Sequence, residues 1–234
     1  MRIYLLRHAE QESDLCNDNT PLCALGREQA RRLGCRLASY GIDALYSSPL
    51  LRAEETAEII NEELCKKNGQ RLPHIIREGL NEADFGILTK VPNCEIGEKF
   101  HDFMEGRYKE PEDWGYPGGE TGWQIYERAY PVLSEILASG KENVAVVTHG
   151  GTIRCLLTGL FLADMAAGKG ALDYAAPPQK AGMASRLFFG KKFKRGSITE
   201  LLYDEQRKRF SLERFSDAAH LEGLLGKKEF SGDE

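Results

Sequence analysis

Two short apolar segments, each ending in a histidine, constrain the fold of this chain more than any other feature. Residues 3–6 lead into Arg7 and His8, and residues 144–147 lead into a threonine, His149 and two glycines. Apolar runs of this length, bounded by polar residues, are typical of buried strands. Reactive groups in open α/β sheets gather outside the carboxyl ends of the strands. We therefore expect both histidines at one edge of a sheet, beside a site for a phosphate-like anion.

The rest of the sequence alternates between strand and helix patterns. Apolar residues at intervals of three and four, typical of amphipathic helices, lie between the predicted strands. This alternation predicts an α/β fold, a three-layer α/β/α sandwich with a mostly parallel central sheet, to which a C-terminal hairpin adds an antiparallel edge strand. The predicted strands cover residues 2–7, 42–46, 74–77 and 144–148, and the hairpin covers 198–203 and 209–215.

Three local signals indicate where helices begin. Ser48 and Pro49 form a natural N-cap and first-turn pair after the second strand. Thr121 and Gln124 have the spacing of a capping box. Pro131, inside the helical pattern that follows, should kink this helix or mark its real start.

Nothing in the sequence divides it into separate units. It shows no internal repeat and no linker, so we expect one α/β domain over residues 1–225 and a polar tail over 226–234. Residues 95–119 and 165–195 have irregular patterns and are expected to be insertions over or beside the site.

Composition narrows the class of protein. The apolar fraction of 41% and charged fraction of 29% fit a soluble globular chain, and the net charge of -5 argues against a nucleic-acid partner. No apolar run is long enough for a membrane span, and the N-terminus lacks the pattern of a secretion signal. The six cysteines form no CxxC pair, which favours reduced thiols in a cytoplasmic protein. Either a monomer or a homodimer is compatible with the sequence.

Phosphoryl transfer requires a nucleophile, donors that hold the phosphoryl oxygens, and a proton for the leaving oxygen. A neutral imidazole such as that of His8 can be the nucleophile, and the planar fork of arginine matches phosphate oxygens. Arg7 precedes His8, and Arg52 lies in the first turn of the second predicted helix, near the end of a strand. Glu82 follows the third predicted strand and could donate the proton.

The second strand-ending histidine completes this set. His149 is followed by Gly150 at the start of a predicted helix, and helix N-termini favour anions. These candidate groups all lie at junctions between a strand and a helix. This shared placement favours a common site over a chance occurrence of the separate residues.

The chain resembles the histidine phosphatase superfamily, the phosphoglycerate mutase-like family. The resemblance covers about residues 1–160 and 196–221, with the motifs in the family's order. Arg7-His8-Ala9-Glu10 resembles the family's Arg-His-Gly-Glu motif. The other matching segments are Leu25–Ala30, Ser47–Ala57, Leu80–Gly86, Gly118–Thr121, Thr148–Gly151 and Gly196–Thr199.

The resemblance implies a mechanism that needs no metal and no cofactor. His8 attacks a phosphomonoester and becomes phosphohistidine, and Glu82 protonates the leaving alkoxide and then assists water. Arg7, Arg52 and His149 hold the phosphoryl oxygens. The implied partner is a small-molecule phosphomonoester.

Two positions depart from the family pattern. Ala9 replaces the usual glycine, which adds one methyl group near the site. Asp14 stands where many members have an asparagine that donates to the phosphoryl group, and a carboxylate there would repel phosphate. Gln11, Ser13 or Asn17 are the candidates for the missing donor, and Gln11 is the residue we assign to phosphate binding.

The resemblance leaves the reaction open between phosphatase and phosphoglycerate mutase. Residues 94–119 hold seven acidic and three basic residues and lack the Arg-Arg pair that the family's mutases carry there. Phe85 also stands where mutases tend to have tyrosine. We expect a phosphatase of small metabolites, acting on an α-ribazole phosphate-like substrate or with broad specificity. The alternatives are a mutase and a non-catalytic phosphate-binding regulatory protein.

Overall fold

The computed structural model describes residues 1–103, 115–167, 173–175 and 192–224. Its centre is a six-stranded mixed sheet with the strand order β3-β2-β4-β1-β5-β6. The strands are β1 (Arg2–Arg7), β2 (Ala44–Ser47), β3 (His74–Ile76), β4 (Asn143–Thr148), β5 (Ile198–Asp204) and β6 (Arg209–Asp217).

Helices lie between these strands along the chain. They are α1 (Ala24–Leu37), α2 (Leu51–Asn68), α3 (Asn93–Lys99), α4 (Gly122–Ala138) and α5 (Gly150–Ala167). Helices α1 and α2 pack against each other, as do α4 and α5. No helix among the described residues combines the length and the apolar character that crossing a membrane requires.

The direction of the strands agrees with the prediction. Strands β1 to β4 are parallel, whereas β5 runs antiparallel to β1 and β6 antiparallel to β5. The predicted α/β fold with a mostly parallel sheet and an antiparallel C-terminal hairpin is therefore confirmed.

The central strand β1 is apolar along its length because both of its faces are buried. Ile3 and Leu5 belong to the core beneath α4 and α5, whereas Tyr4 and Leu6 belong to the core beneath α1 and α2. This alternation is the period of two that a strand imposes on its side chains. It fixes the register of β1, and with it the position of the residues that follow Arg7.

Close contact between α4 and α5 depends on a glycine. A Cβ atom at Gly159 in α5 would lie 2.2 Å from the ring of Tyr126 in α4. Tyr126 is 1% exposed, and its hydroxyl donates to the carbonyl of Tyr174 at 2.7 Å. The ring therefore has no room to move away, and only glycine allows the two helices this approach.

One predicted helix start is wrong, and for Pro131 one of the two alternatives is excluded. Helix α2 has Leu50 as its N-cap, without a side-chain bond, and Ser48 lies outside the helix. Helix α4 runs from Gly122 through Pro131, so this proline does not mark its start. The capping box of Thr121 and Gln124 is confirmed, since both of its hydrogen bonds are present.

The predicted insertions are described only in part. Helix α5 extends to Ala167, beyond the point where an irregular stretch was expected, and α3 overlaps the start of the first predicted insertion. Residues 104–114, 168–172, 176–191 and the expected tail at 226–234 lie outside the described residues. The assignment of one domain to residues 1–225 stays a prediction.

Candidate active site

The two strand-ending histidines lie side by side at the carboxyl edge of the sheet. Parallel pairing of β1 and β4 sets Arg7 opposite Thr148, and the N–H of His8 donates to the Thr148 carbonyl at 2.9 Å. The imidazole centroids of His8 and His149 are 5.0 Å apart, and both side chains are buried.

His8 has the tautomer that a nucleophile needs. Its Nδ1 lies 2.7 Å from the carbonyl oxygen of Ala9. A carbonyl only accepts, so Nδ1 carries the proton and Nε2 keeps its lone pair. Burial lowers the pKa of His8 well below its usual value, and the nearby His149, Arg52 and Arg7 lower it further. The ring is therefore neutral at physiological pH.

Arg52 is a buried cation beside this pair. Its side chain is 2% exposed and donates to the Asp18 carbonyl at 3.1 Å and to Oδ1 of Asn17 at 2.9 Å. Burial lowers its pKa, against the opposing effect of Glu82 and Asp18, but a guanidinium titrates so high that it stays charged. Its Nε has no partner within the described part of the chain.

The two amides proposed to bind phosphate have protein partners. Asn17 has a left-handed backbone with φ of 50°, and its Nδ2 donates to the Ala83 carbonyl at 3.1 Å. Asn17 thus orients Arg52. The Nε2 of Gln11 donates to the Ser13 carbonyl at 2.9 Å. Direct contact of Gln11 with phosphate stays a prediction.

Arg7 reaches across the start of α5. Its guanidinium donates to the carbonyl of Phe193, and its backbone N–H donates to the Ser197 carbonyl at 3.2 Å. A Cβ atom at Gly150 would lie 3.4 Å from Nε of Arg7. Gly150 therefore packs against the guanidinium of Arg7, which accounts for a small residue at this position.

The carboxylate of Glu82 occupies the N-terminus of α5. It accepts hydrogen bonds from the backbone N–H groups of Ala83 at 2.9 Å and of Gly151 and Thr152 at 3.3 Å. The sequence suggested this helix end as a site for the substrate anion, but two of its donors bind the protein's own carboxylate. A Cβ atom at Gly151 would lie 2.5 Å from Oε1 of Glu82, so glycine is needed for this contact.

The partly buried guanidinium of Arg128, missed in the sequence, holds the loop that carries Glu82. The Arg128 guanidinium donates to the carbonyls of Gly79, Asn81 and Glu82 at 2.8–3.0 Å. It also forms a forked pair with both carboxylate oxygens of Glu120, at 2.7 and 3.0 Å. Although burial opposes it, this pairing, together with the N–H of Asp84, lowers the pKa of Glu120.

Strand β4 and the chain after β2 support the same loop. The hydroxyl of Thr148 donates to the Leu80 carbonyl at 2.6 Å, and the hydroxyl of Ser48 donates to Oδ1 of Asn81 at 2.8 Å. Local patterns in the sequence did not predict these contacts of Arg128 and Asn81, because their partners lie far away along the chain.

The arrangement combines a neutral imidazole whose Nε2 keeps its lone pair, two arginines, a second buried imidazole and a carboxylate fixed at a helix terminus. Such a set can hold a tetrahedral dianion and attack its central atom. Among the described residues, no group of three or more histidine, cysteine, aspartate or glutamate side chains is placed to bind a metal ion.

Comparison with known proteins assigns the chain to a family. The sequence profile of the histidine phosphatase superfamily (branch 1) matches residues 3–175. A 2,3-bisphosphoglycerate-dependent phosphoglycerate mutase of Rhizobium etli is 35% identical over 169 residues, which cover 68% of this chain and 79% of that protein. An uncharacterized phosphatase of Bacillus subtilis, PhoE, is 33% identical over 162 residues, covering 67% of this chain and 75% of that protein.

Solved structures show the same fold. A mycobacterial glucosyl-3-phosphoglycerate phosphatase, solved with inorganic phosphate, superposes with a TM-score of 0.69 at 24% identity. The match covers 94% of this chain and 98% of that one. The profile match extends over most of the sequence, from β1 to beyond α5, and the chain therefore belongs to the histidine phosphatase superfamily, branch 1.

Proposed function

We propose that this protein is a metal-independent phosphomonoesterase that acts on small phosphorylated metabolites through a phosphohistidine at His8. The tautomer of His8 is the observation that carries the proposal. Its Nδ1–H is bound to the Ala9 carbonyl at 2.7 Å, which leaves the Nε2 lone pair for attack. Burial among cations keeps the ring neutral and ready to react.

In the first step, Nε2 of His8 forms a bond to phosphorus as the bond from phosphorus to the leaving oxygen breaks. Glu82 gives its proton to this oxygen, so that an alcohol departs. Arg7 and Arg52 balance the charge on the non-bridging oxygens in the transition state. The Nδ1–H bond to Ala9 stabilises the positive charge that develops on the His8 ring.

In the second step, water attacks the phosphohistidine and loses a proton to Glu82. The P–N bond breaks, inorganic phosphate forms, and His8 recovers its lone pair. Glu82 thereby returns to the protonated form in which it began the cycle. The carboxylate lies against the first turn of α5, where two backbone N–H groups orient it for both proton transfers.

Phosphoglycerate mutase is the second candidate, because a mutase is among the most similar relatives. The residues after position 94 favour hydrolysis. A mutase must retain a substrate with a carboxylate and more than one phosphate during turnover, and the acidic excess in 94–119 would repel such an anion. Phe85 packs on Tyr116, with ring centroids 4.5 Å apart, and offers no hydroxyl to a second anionic group.

Trapping of labelled phosphohistidine tests the proposal directly. We expect acid-labile label on the wild-type protein after a brief mixing with ³²P-labelled phosphomonoester, and none on His8→Ala. His74→Ala is the matched control, since His74 is a histidine of strand β3 that pairs with Ser47 at 2.8 Å, outside the site. Full turnover by His8→Ala would refute the mechanism.

Product analysis separates the three candidate functions. Incubation with 3-phosphoglycerate and 2,3-bisphosphoglycerate should release inorganic phosphate if the protein is a phosphatase. Isomer formation without phosphate release would identify a mutase. A protein that binds phosphomonoesters but traps no phosphohistidine with any of them would be a regulatory protein. A screen of phosphomonoesters that includes α-ribazole phosphate then distinguishes a dedicated enzyme from one of broad specificity.

A further inference from the structure

Ser48, which the sequence suggested as a helix cap, connects His149 to the loop of Glu82. Its Oγ lies 2.8 Å from Oδ1 of Asn81, 2.9 Å from Nε2 of His149 and 3.1 Å from the backbone nitrogen of Leu50. A serine hydroxyl has one proton to give and two lone pairs. These three contacts use its full capacity.

The partners of Ser48 determine the direction of each hydrogen bond. An amide oxygen only accepts, so the hydroxyl proton goes to Asn81, and the N–H of Leu50 fills one lone pair. The remaining lone pair can bind His149 only if Nε2 of that ring carries a hydrogen. In its neutral form His149 is therefore the Nε2–H tautomer, opposite to the Nδ1–H tautomer of His8.

The other nitrogen of His149 is then a bare acceptor. Its Nδ1 is buried and has no hydrogen-bond partner in the part of the chain that the structure describes. The groups that face the ring are His8 and Arg7 from β1, Arg52 from α2 and Arg128 from α4. Burial lowers the pKa of His149 well below its usual value, and these arginines lower it further.

A bound anion would favour the protonated form of His149. A phosphoryl group held by Arg7 and Arg52 would bring negative oxygens among the cations that keep His149 neutral, and a bare Nδ1 would repel an oxygen that it met. Protonation of Nδ1 converts this repulsion into a charge-assisted hydrogen bond. The ring cannot obtain a proton for Nδ1 by changing tautomer without losing its bond to Ser48.

We propose that Ser48 and Asn81 are positioning residues that hold His149 in the Nε2–H tautomer, so that His149 binds a phosphoryl group only by taking up a second proton on Nδ1. Anion binding is thereby coupled to proton uptake. The same coupling lets the site accept the singly protonated form of a phosphomonoester, whose own proton then lies on His149. This inference rests on the proposed phosphate site but applies equally to a phosphatase, a mutase or a binding protein.

Nitrogen NMR of the histidine rings tests the tautomer. The chain has five histidines, so ¹⁵N-labelled histidine gives a spectrum that single substitutions can assign. We expect neutral His8 and neutral His149 with opposite tautomers in the free protein. Sulfate is the probe, because it carries no proton near neutral pH and any proton taken up must go to the protein. Saturation with sulfate should convert His149 to the imidazolium.

Ser48→Ala and Ser47→Ala form a matched pair for this experiment. Ser47 makes the equivalent contact with His74 at 2.8 Å, away from the site. In Ser48→Ala, His149 should populate the Nδ1–H tautomer and bind sulfate while neutral. Wild type and Ser47→Ala must instead take up a proton to bind sulfate. Their sulfate affinity should therefore fall with rising pH more steeply than that of Ser48→Ala, by an additional factor of about ten per pH unit.

Any one of the following results would overturn the inference. They are a free His149 in the Nδ1–H tautomer, a His149 that stays neutral in the sulfate complex, and equal pH slopes for wild type and Ser48→Ala. Absence of any response of the two rings to sulfate would also refute it, since the anion would then not reach His149. Loss of phosphohistidine trapping with an intact tautomer would instead refute only the proposed catalytic function.

Discussion

Arg128 holds the loop that carries Glu82, and the number of its hydrogen bonds predicts how much a substitution of Arg128 should reduce activity. Arg128→Met keeps much of the side-chain volume and removes three hydrogen bonds to carbonyls of the loop and the forked pair with Glu120. At a net value of about 1 kcal/mol for each carbonyl bond, the loop loses about 2–4 kcal/mol of local stability. Glu82 would then occupy its working position about 30- to 1000-fold less often relative to displaced positions.

Two substrates with different leaving groups distinguish the displacement of Glu82 from a general loss of structure. General acid catalysis contributes about 10²- to 10⁴-fold when the leaving oxygen needs a proton. We therefore expect Arg128→Met to reduce kcat/KM for an alkyl phosphomonoester about 100-fold. The loss for p-nitrophenyl phosphate should be less than about tenfold, because p-nitrophenolate departs without a proton.

A second forked ion pair supplies the control. Arg77 donates to both oxygens of Glu135 at 2.8 Å on the outside of the domain. Arg77→Met should leave both rates within about twofold of wild type, and circular dichroism should show that both variants fold. Equal losses of Arg128→Met on the two substrates, or no loss on the alkyl ester, would refute the assignment of Arg128 as the anchor of the acid.

Three further changes test other parts of the structure. Gly151→Ala places a methyl group against Glu82 and should lower alkyl phosphatase activity about 100-fold with little change in Tm, as kinetics and thermal melts can show. Gly159→Ala drives a methyl group into the ring of Tyr126 and should cost about 1–3 kcal/mol in urea unfolding. Burial, with Arg36, lowers the pKa of His220 to about 4. The unfolded chain thus binds this proton first, and stability should fall as pH drops from about 6.5 towards 4.

Matched variants make these outcomes decisive. Gly97→Ala adds a methyl group with nothing within 4 Å; it should leave activity unchanged and raise stability by no more than about 1 kcal/mol, because alanine is the better helix former. His220→Gln should flatten the loss of stability below pH 6.5 relative to wild type, since glutamine keeps a donor for Gly196 and does not titrate. An unaltered pH profile for His220→Gln, a fully active Gly151→Ala or an equally stable Gly159→Ala would each contradict the contact named for that residue.

The sequence predicted those parts of the site that follow from local pattern. His8 and His149 were placed together because apolar strands, their parallel direction and the reactive carboxyl edge all follow from short-range signals and one general rule. Arg52 was located by its place in the first turn of a helix. The capping box of Thr121 was predicted because all of its atoms lie within one turn.

The parts that the sequence did not predict depend on distant partners. Serine is a residue type preferred at N-caps, but the hydroxyl of Ser48 is hydrogen-bonded to His149 and Asn81. The helix begins later, at Leu51. In the sequence, Arg128 looks like any polar residue of an amphipathic helix. Its role follows from the fold, which places its side chain against the loop of Glu82. Such roles are set by three-dimensional contacts that no local preference encodes.

The position of β1 has a consequence for how the protein is made. Its residue Arg2 pairs with Asn143 on one side and with Leu202 on the other, and Gly196 binds the backbone of Arg7 and His8. A ribosome therefore releases the strand that leads into His8 long before either neighbouring strand exists. During that interval its apolar residues have no sheet to join, and contacts of such long range are slow to form. We expect the nascent chain to remain inactive and dependent on protection from aggregation until β5 has emerged, and then to gain its sheet centre and its phosphate site in one step.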